Sequence, residues 1–145
     1  MKVYVFGNPL LRQDSLPLRL LPRLREEFPQ VEFIEADPTT DQLEDMGTDP
    51  VIIDSASGIG DVHVITDLDH LYTHQPLSLH DFDLAMHLKL MKKVGKIQSA
   101  TIIALPMEAS ESQVWPSLKN TLAQIIGERE PSSAEGTGDF DDEEE

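Results

Sequence analysis

Three residues of this chain have the types and settings to do chemistry together: Asp14, Asp54 and His80. Asp14 closes the turn Gly7-Asn8-Pro9-Leu10-Leu11-Arg12-Gln13-Asp14, which follows the apolar run Lys2-Val3-Tyr4-Val5-Phe6. Asp54 ends the run Val51-Ile52-Ile53, and His80 lies in the first turn of a helical pattern. Two carboxylates and an imidazole, with no thiolate, suit a divalent ion that keeps open positions. A helix N-terminus disfavours imidazolium, which keeps His80 neutral and able to ligate. Taken singly, each has a plain structural account: Asp14 as a helix cap, Asp54 as an acceptor for loop N–H groups, His80 as a first-turn filler. His87 is two turns beyond His80, roughly 10 Å by helical rise, too far to share one ion. His63, His70 and His74 lie where no periodicity fixes a direction.

Other chemistries are absent from the sequence. The chain has no cysteine, which excludes disulfides, a thiol nucleophile and a zinc–thiolate site. It has no Gly-x-Ser-x-Gly elbow, no His-Glu-x-x-His pair and no Gly-Lys-Ser/Thr phosphate loop. Gly58-Ile59-Gly60 is a fragment of a dinucleotide fingerprint on the wrong strand and without its third glycine, and a tight turn accounts for it better.

The elements that must position these residues alternate along the chain. Lys2-Val3-Tyr4-Val5-Phe6 is a compact run of β-branched and aromatic residues, the pattern of a strand buried on both faces. Asp14 or Ser15 caps a helix whose first turn holds Pro17 and whose core positions are Leu18, Leu21 and Leu24. Pro22 should kink or split that helix. Val31-Glu32-Phe33-Ile34-Glu35 alternates as a strand, and Thr39 or Thr40 opens a short helix that Gly47 stops. Val51-Ile52-Ile53, Val62-His63-Val64-Ile65 and Ala100-Thr101-Ile102-Ile103-Ala104-Leu105 are further strands. Ser78 and Asp81 form a capping box for a helix over 79–94, with Leu84, Leu88 and Met91 on its core face and Gly95 at its end. A last helix over 112–126 has Val114, Leu118, Leu122 and Ile125 at helical spacing and Gly127 as its stop. The reading is α/β: a three-layer sandwich with a twisted, mostly parallel sheet of about five strands and helices on both faces. An open sheet of this kind binds ligands at the carboxyl ends of its strands.

Charge divides the chain into two parts. Of a net charge of −16 over 145 residues, the last 18 carry −8, with nine acidic residues against one arginine. Residues 128–145 read as a disordered acidic tail, because they bury too little apolar surface to offset the entropy of ordering. Residues 1–127 form one acidic α/β domain. No basic stripe can neutralise phosphate, which argues against nucleic acid and anionic membranes as partners. No stretch approaches 18 consecutive apolar residues and the chain opens straight into a strand, so no membrane span or signal peptide is expected and a cytoplasmic monomer is.

The residues singled out also carry a resemblance. Val5-Phe6-Gly7-Asn8-Pro9-Leu10-Leu11-Arg12-Gln13-Asp14, then Val51-Ile52-Ile53-Asp54-Ser55-Ala56, then Ser78-Leu79-His80-Asp81-Phe82-Asp83-Leu84-Ala85 resemble, in order and approximate spacing, the three motifs of the hydrogenase maturation endopeptidases. Lys93-Val94-Gly95-Lys96 before the last strand is similar too. The resemblance implies a protease that removes the C-terminal extension of a nickel-iron hydrogenase large-subunit precursor after nickel insertion. It implies that Asp14, Asp54 and His80 contact nickel supplied by the substrate, with no tightly bound cofactor of the protein's own. Two positions and one segment depart from the family: Gln13 stands where an acid is usual, Pro17 where a glycine is, and Ala104-Leu105-Pro106-Met107-Glu108 replaces a glycine-, glutamine- and proline-containing turn.

Three functions follow for comparison. The first is the nickel-dependent endopeptidase, with water as attacker because no Ser or Cys nucleophile is in place. The second is a non-proteolytic assembly chaperone or binding module of the same fold, with cleavage lost through Gln13 and Pro17. The third is an unrelated small-ligand α/β protein in which the three polar residues are only caps.

Overall fold

The computed structural model describes residues 1–7, 15–36, 46–66, 78–79 and 82–129, with backbone alone at 78–79 and 82–86. The expected short helix before Gly47 and residues 130–145 of the expected 128–145 tail lie outside the described residues. The chain divides into two compact units, Met1–Val114 and Trp115–Glu145.

The first unit holds the sheet. Strand β1 (Lys2–Phe6) leads to two short helices, α1 (Leu16–Arg19) and α2 (Leu21–Glu27), then strands β2 (Glu32–Ala36), β3 (Val51–Ser57), β4 (His63–Ile65) and β5 (Ser78–Leu79). Helix α3 (Phe82–Lys93), strand β6 (Thr101–Pro106) and the start of α4 (Glu111–Arg129) complete it. The strand order is β2-β1-β3-β6-β4, with β5 paired to β3 off that path. β1 is parallel to β2 and β3, and β3 is parallel to β6. Among the described residues only the short strands β4 and β5 run antiparallel. The α/β class and the mostly parallel sheet of five main strands are as the sequence predicts.

Burial explains why these residues make strands. In β1, β3 and β6 consecutive side chains point to opposite faces, yet Val3 to Phe6, Val51 to Ala56 and Ile102 to Pro106 are all buried. Both faces of the central strands are therefore covered. On one face Tyr4, Phe6, Ile52 and Ile102 form a cluster with Leu88 of α3, and Met91 packs against it. Leu16 of α1, Leu24 of α2 and Leu20 between them are fully buried and outside that cluster.

Local rules account for the helix ends. The first helical segment splits at Leu20, two residues before Pro22, which has no N–H to donate and excludes the carbonyl a turn earlier. Helix α3 closes in a Schellman motif: Gly95 N donates to Lys92 O and Lys96 N to Met91 O, with Gly95 at φ 85°. Its start differs from the expected one. Ser78 and Leu79 are in strand β5, opposite Ser57 and Ala56, where the expected helix would already have begun, and the helix is described from Phe82. Cross-strand pairing to β3 has outcompeted a local capping signal.

Helix α4 also exceeds its expected bounds, running to Arg129 through Gly127. A glycine within a helix costs only about 1 kcal/mol, too little to stop one that is otherwise favoured. In the second unit its Leu118, Leu122 and Ile125 are buried at the expected helical spacing.

Candidate functional site

The site is built on one edge of β3. Along the other edge β3 pairs continuously with β6, from Val51↔Thr101 to Ala56↔Pro106. On the site's edge the partner changes. β1 pairs in parallel as far as Val5↔Ile53, and β5 pairs antiparallel from Ala56↔Leu79. Asp54 and Ser55 are the two residues left between one partner and the next. In an open α/β sheet ligands bind past the carboxyl ends of the strands where the strand order reverses, which here is between β1 and β3.

Asp54 exposes none of its surface, and neither does Ser55. The sequence pattern ends the strand at Asp54. The structure corrects this: β3 runs on to Ser57, because Asp54, Ser55 and Ala56 all find ladder partners in β6. By alternation Asp54 shares its face with Ile52 and Ala56, the face that carries Leu88 of α3. Ser55 points to the opposite face, and its Oγ has no hydrogen-bond partner among the described residues. A carboxylate withdrawn from water is retained only where the surrounding fold compensates its desolvation.

Of the three predicted site residues, Asp54 alone falls within the described residues; Asp14 and His80 lie outside them. What the structure describes is the approach to each. β1 ends at Phe6, where its pairing with β3 has just stopped, and the chain continues through Gly7 towards Asp14. β5 ends at Leu79, the residue before His80, opposite Ala56. Among the described residues no three His, Asp or Glu side chains come together to hold an ion. His87, on α3, is partly buried with its Nε2 shielded from solvent.

Beside the partner switch is a cleft that no motif in the sequence announces. It has a volume of about 460 Å³ and lies past the carboxyl ends of β3 and β6. One wall is Ala56 to Gly60 and the other Pro106 to Ala109 with Gln113. Gly58 takes φ 84°, in the left-handed region that glycine reaches readily, and the chain bends there as it leaves β3. Met107 N donates to Ala56 O at 3.3 Å, tying the two walls together at their base. The far wall leads into α4 through a reciprocal cap: Ser110 N donates to Gln113 Oε1 at 2.7 Å, and Gln113 N to Ser110 Oγ at 3.2 Å. The Ser110-x-x-Gln113 spacing is the sequence signal for this cap, and it places the helix start one residue ahead of the expected 112.

A glycine bend after a buried strand, a buried acid within that strand and a partner change beside it lie towards the carboxyl ends of the strands of an open α/β sheet, the edge at which ligands bind. Among solved structures, the hydrogenase maturating endopeptidase HybD from E. coli shares this fold, with a TM-score of 0.59 and 19% sequence identity. The similarity covers 89% of this chain and 94% of that one. At this identity it establishes the fold. No protein-family model matches the chain, and a comparison with curated proteins returns no match.

Proposed function

We propose that this protein is an endopeptidase that removes the C-terminal extension of a nickel-iron hydrogenase large-subunit precursor, recognising nickel already held by that substrate. The observation that carries the reading is Asp54, a fully buried acid in the gap where β3 passes from β1 to β5. Burying a carboxylate costs free energy that its surroundings must offset, a cost an apolar residue at this strand position would not carry. The fold shared with HybD, and the three sequence motifs that contain Asp14, Asp54 and His80, support it further.

In this reading Asp54, Asp14 and His80 supply oxygen and nitrogen donors to the substrate's nickel and so fix the scissile segment in the adjoining cleft. The chain offers no cysteine and no serine in a nucleophile elbow, so water attacks the peptide carbonyl. Nickel or a carboxylate activates that water, the C–N bond breaks, and the released amine takes up the proton.

The burial of Asp54, with Gln13 and Pro17 at family acid and glycine positions, favours a second reading: a chaperone that binds the precursor without cutting it. Mass spectrometry of the nickel-loaded precursor incubated with the purified chain separates the two. Release of the C-terminal peptide is expected; stable binding without release would establish the chaperone instead.

A further inference from the structure

Helix α3 ends on a surface whose composition runs against the rest of the molecule. The chain has 27 acidic and 11 basic residues, yet residues 84–107 contain no Asp or Glu and include Lys89, Lys92, Lys93 and Lys96. Lys92, Lys93 and Lys96 are exposed and form no ion pair among the described residues. Between them stand two exposed aliphatic side chains, Leu90 at 53% and Val94 at 57% of full exposure. Val94 N donates to Leu90 O at 3.0 Å, so the helical turn persists there and the two lie one above the other with Lys93 alongside. The Schellman closure at Gly95 fixes this arrangement. The inward residues Leu88 and Met91 already serve the core.

Lysines at a helix C-terminus complement its dipole, which explains part of the charge but not the exposed pair of aliphatics among them. An apolar centre with a charged rim is the anatomy of a protein interface. Its positive sign selects an acidic partner. We infer that the C-terminal end of α3 is a docking surface for an acidic face of a folded protein. Resting on the function proposed above, that protein is the large-subunit precursor, held here at a distance from the cleft that cuts it. The protein's strong overall negative charge would repel such a face elsewhere, so the lysines also set its orientation.

The test uses the intact chain and the nickel-loaded precursor, with binding measured by surface plasmon resonance and peptide release followed in parallel. The double variant Leu90→Ser, Val94→Ser and the triple variant Lys92→Gln, Lys93→Gln, Lys96→Gln should each keep the wild-type unfolding midpoint. Each should bind about tenfold more weakly, with KM raised to match and kcat unchanged. Wild-type affinity should fall with added salt, and the lysine variant should lose most of that dependence. Unchanged affinity and KM in both variants would overturn the docking surface and leave the protease reading standing. Precursor bound through this surface but left uncut would do the reverse. A wild type that neither binds nor cuts the precursor would overturn both. An effect of the variants on self-association, or on binding to an RNA oligonucleotide, with none on the precursor, would overturn the assigned partner.

Discussion

β1 and β3 lie side by side, share a register from Val3↔Val51 to Val5↔Ile53, and are buried on both faces, yet they end differently. β1 is apolar to Phe6 and stops. β3 continues from Val51-Ile52-Ile53 into Asp54-Ser55, just as buried but polar, before Ala56. Burying a large aliphatic or aromatic side chain stabilises the fold by about 1.5–3 kcal/mol, so burial in β1 explains itself. Burying an acid and a hydroxyl instead costs free energy that their surroundings must offset. The end of β3 is therefore the part of the sheet whose sequence stability does not explain, and function is sought there first.

The largest expected effect breaks this contrast at its centre. Asp54→Asn keeps the size of the side chain and removes its charge. It should lower kcat/KM for precursor cleavage by about a hundredfold to a thousandfold, an electrostatic loss of roughly 3–4 kcal/mol, while thermal unfolding shows a native fold. A variant that cleaves at the wild-type rate would make Asp54 a structural acid. One position earlier the balance should invert. Ile53→Ala removes a fully buried side chain and should lower the unfolding free energy in urea by about 3 kcal/mol, with activity intact where the protein remains folded.

One position later the effect should nearly vanish. Ser55→Ala deletes a buried hydroxyl with no hydrogen-bond partner among the described residues, so stability should change by less than about 1 kcal/mol, in either direction. A loss above about 2 kcal/mol would show that the hydroxyl is held. The smallest effect belongs to the ion pair between α1 and α4, Arg19 Nη1 to Glu111 Oε2 at 3.3 Å, whose side chains are 35% and 40% exposed. Glu111→Gln should cost no more than about 0.5 kcal/mol, and less in high salt.

These contrasts also mark what is legible in the sequence. Uniform apolar runs in β1, β3 and β6 announce strands buried on both faces, and Gly95 announces the end of α3, because in each case one local cause dominates. Pro22 splits the first helix as its missing donor requires. The start of α3 is not legible in this way, because Ser78 satisfies a capping pattern while its backbone pairs with Ser57, a contact 21 residues away that no local pattern carries. Asp54 reads as a strand terminus for the same reason: only its partners in β6 carry the strand past it. The cleft combines Ala56 to Gly60 with Pro106 to Ala109, segments some 50 residues apart, so it comes into view only with the parallel pairing of β3 and β6.

In the proposed function, nickel in the substrate organises the cut. The most direct measurement is the rate of C-terminal peptide release by the wild-type chain from matched precursor samples, one nickel-loaded and one nickel-free. The expected result is release from the loaded precursor and an intact nickel-free precursor over the same time. Equal cleavage of both would contradict the role given to nickel.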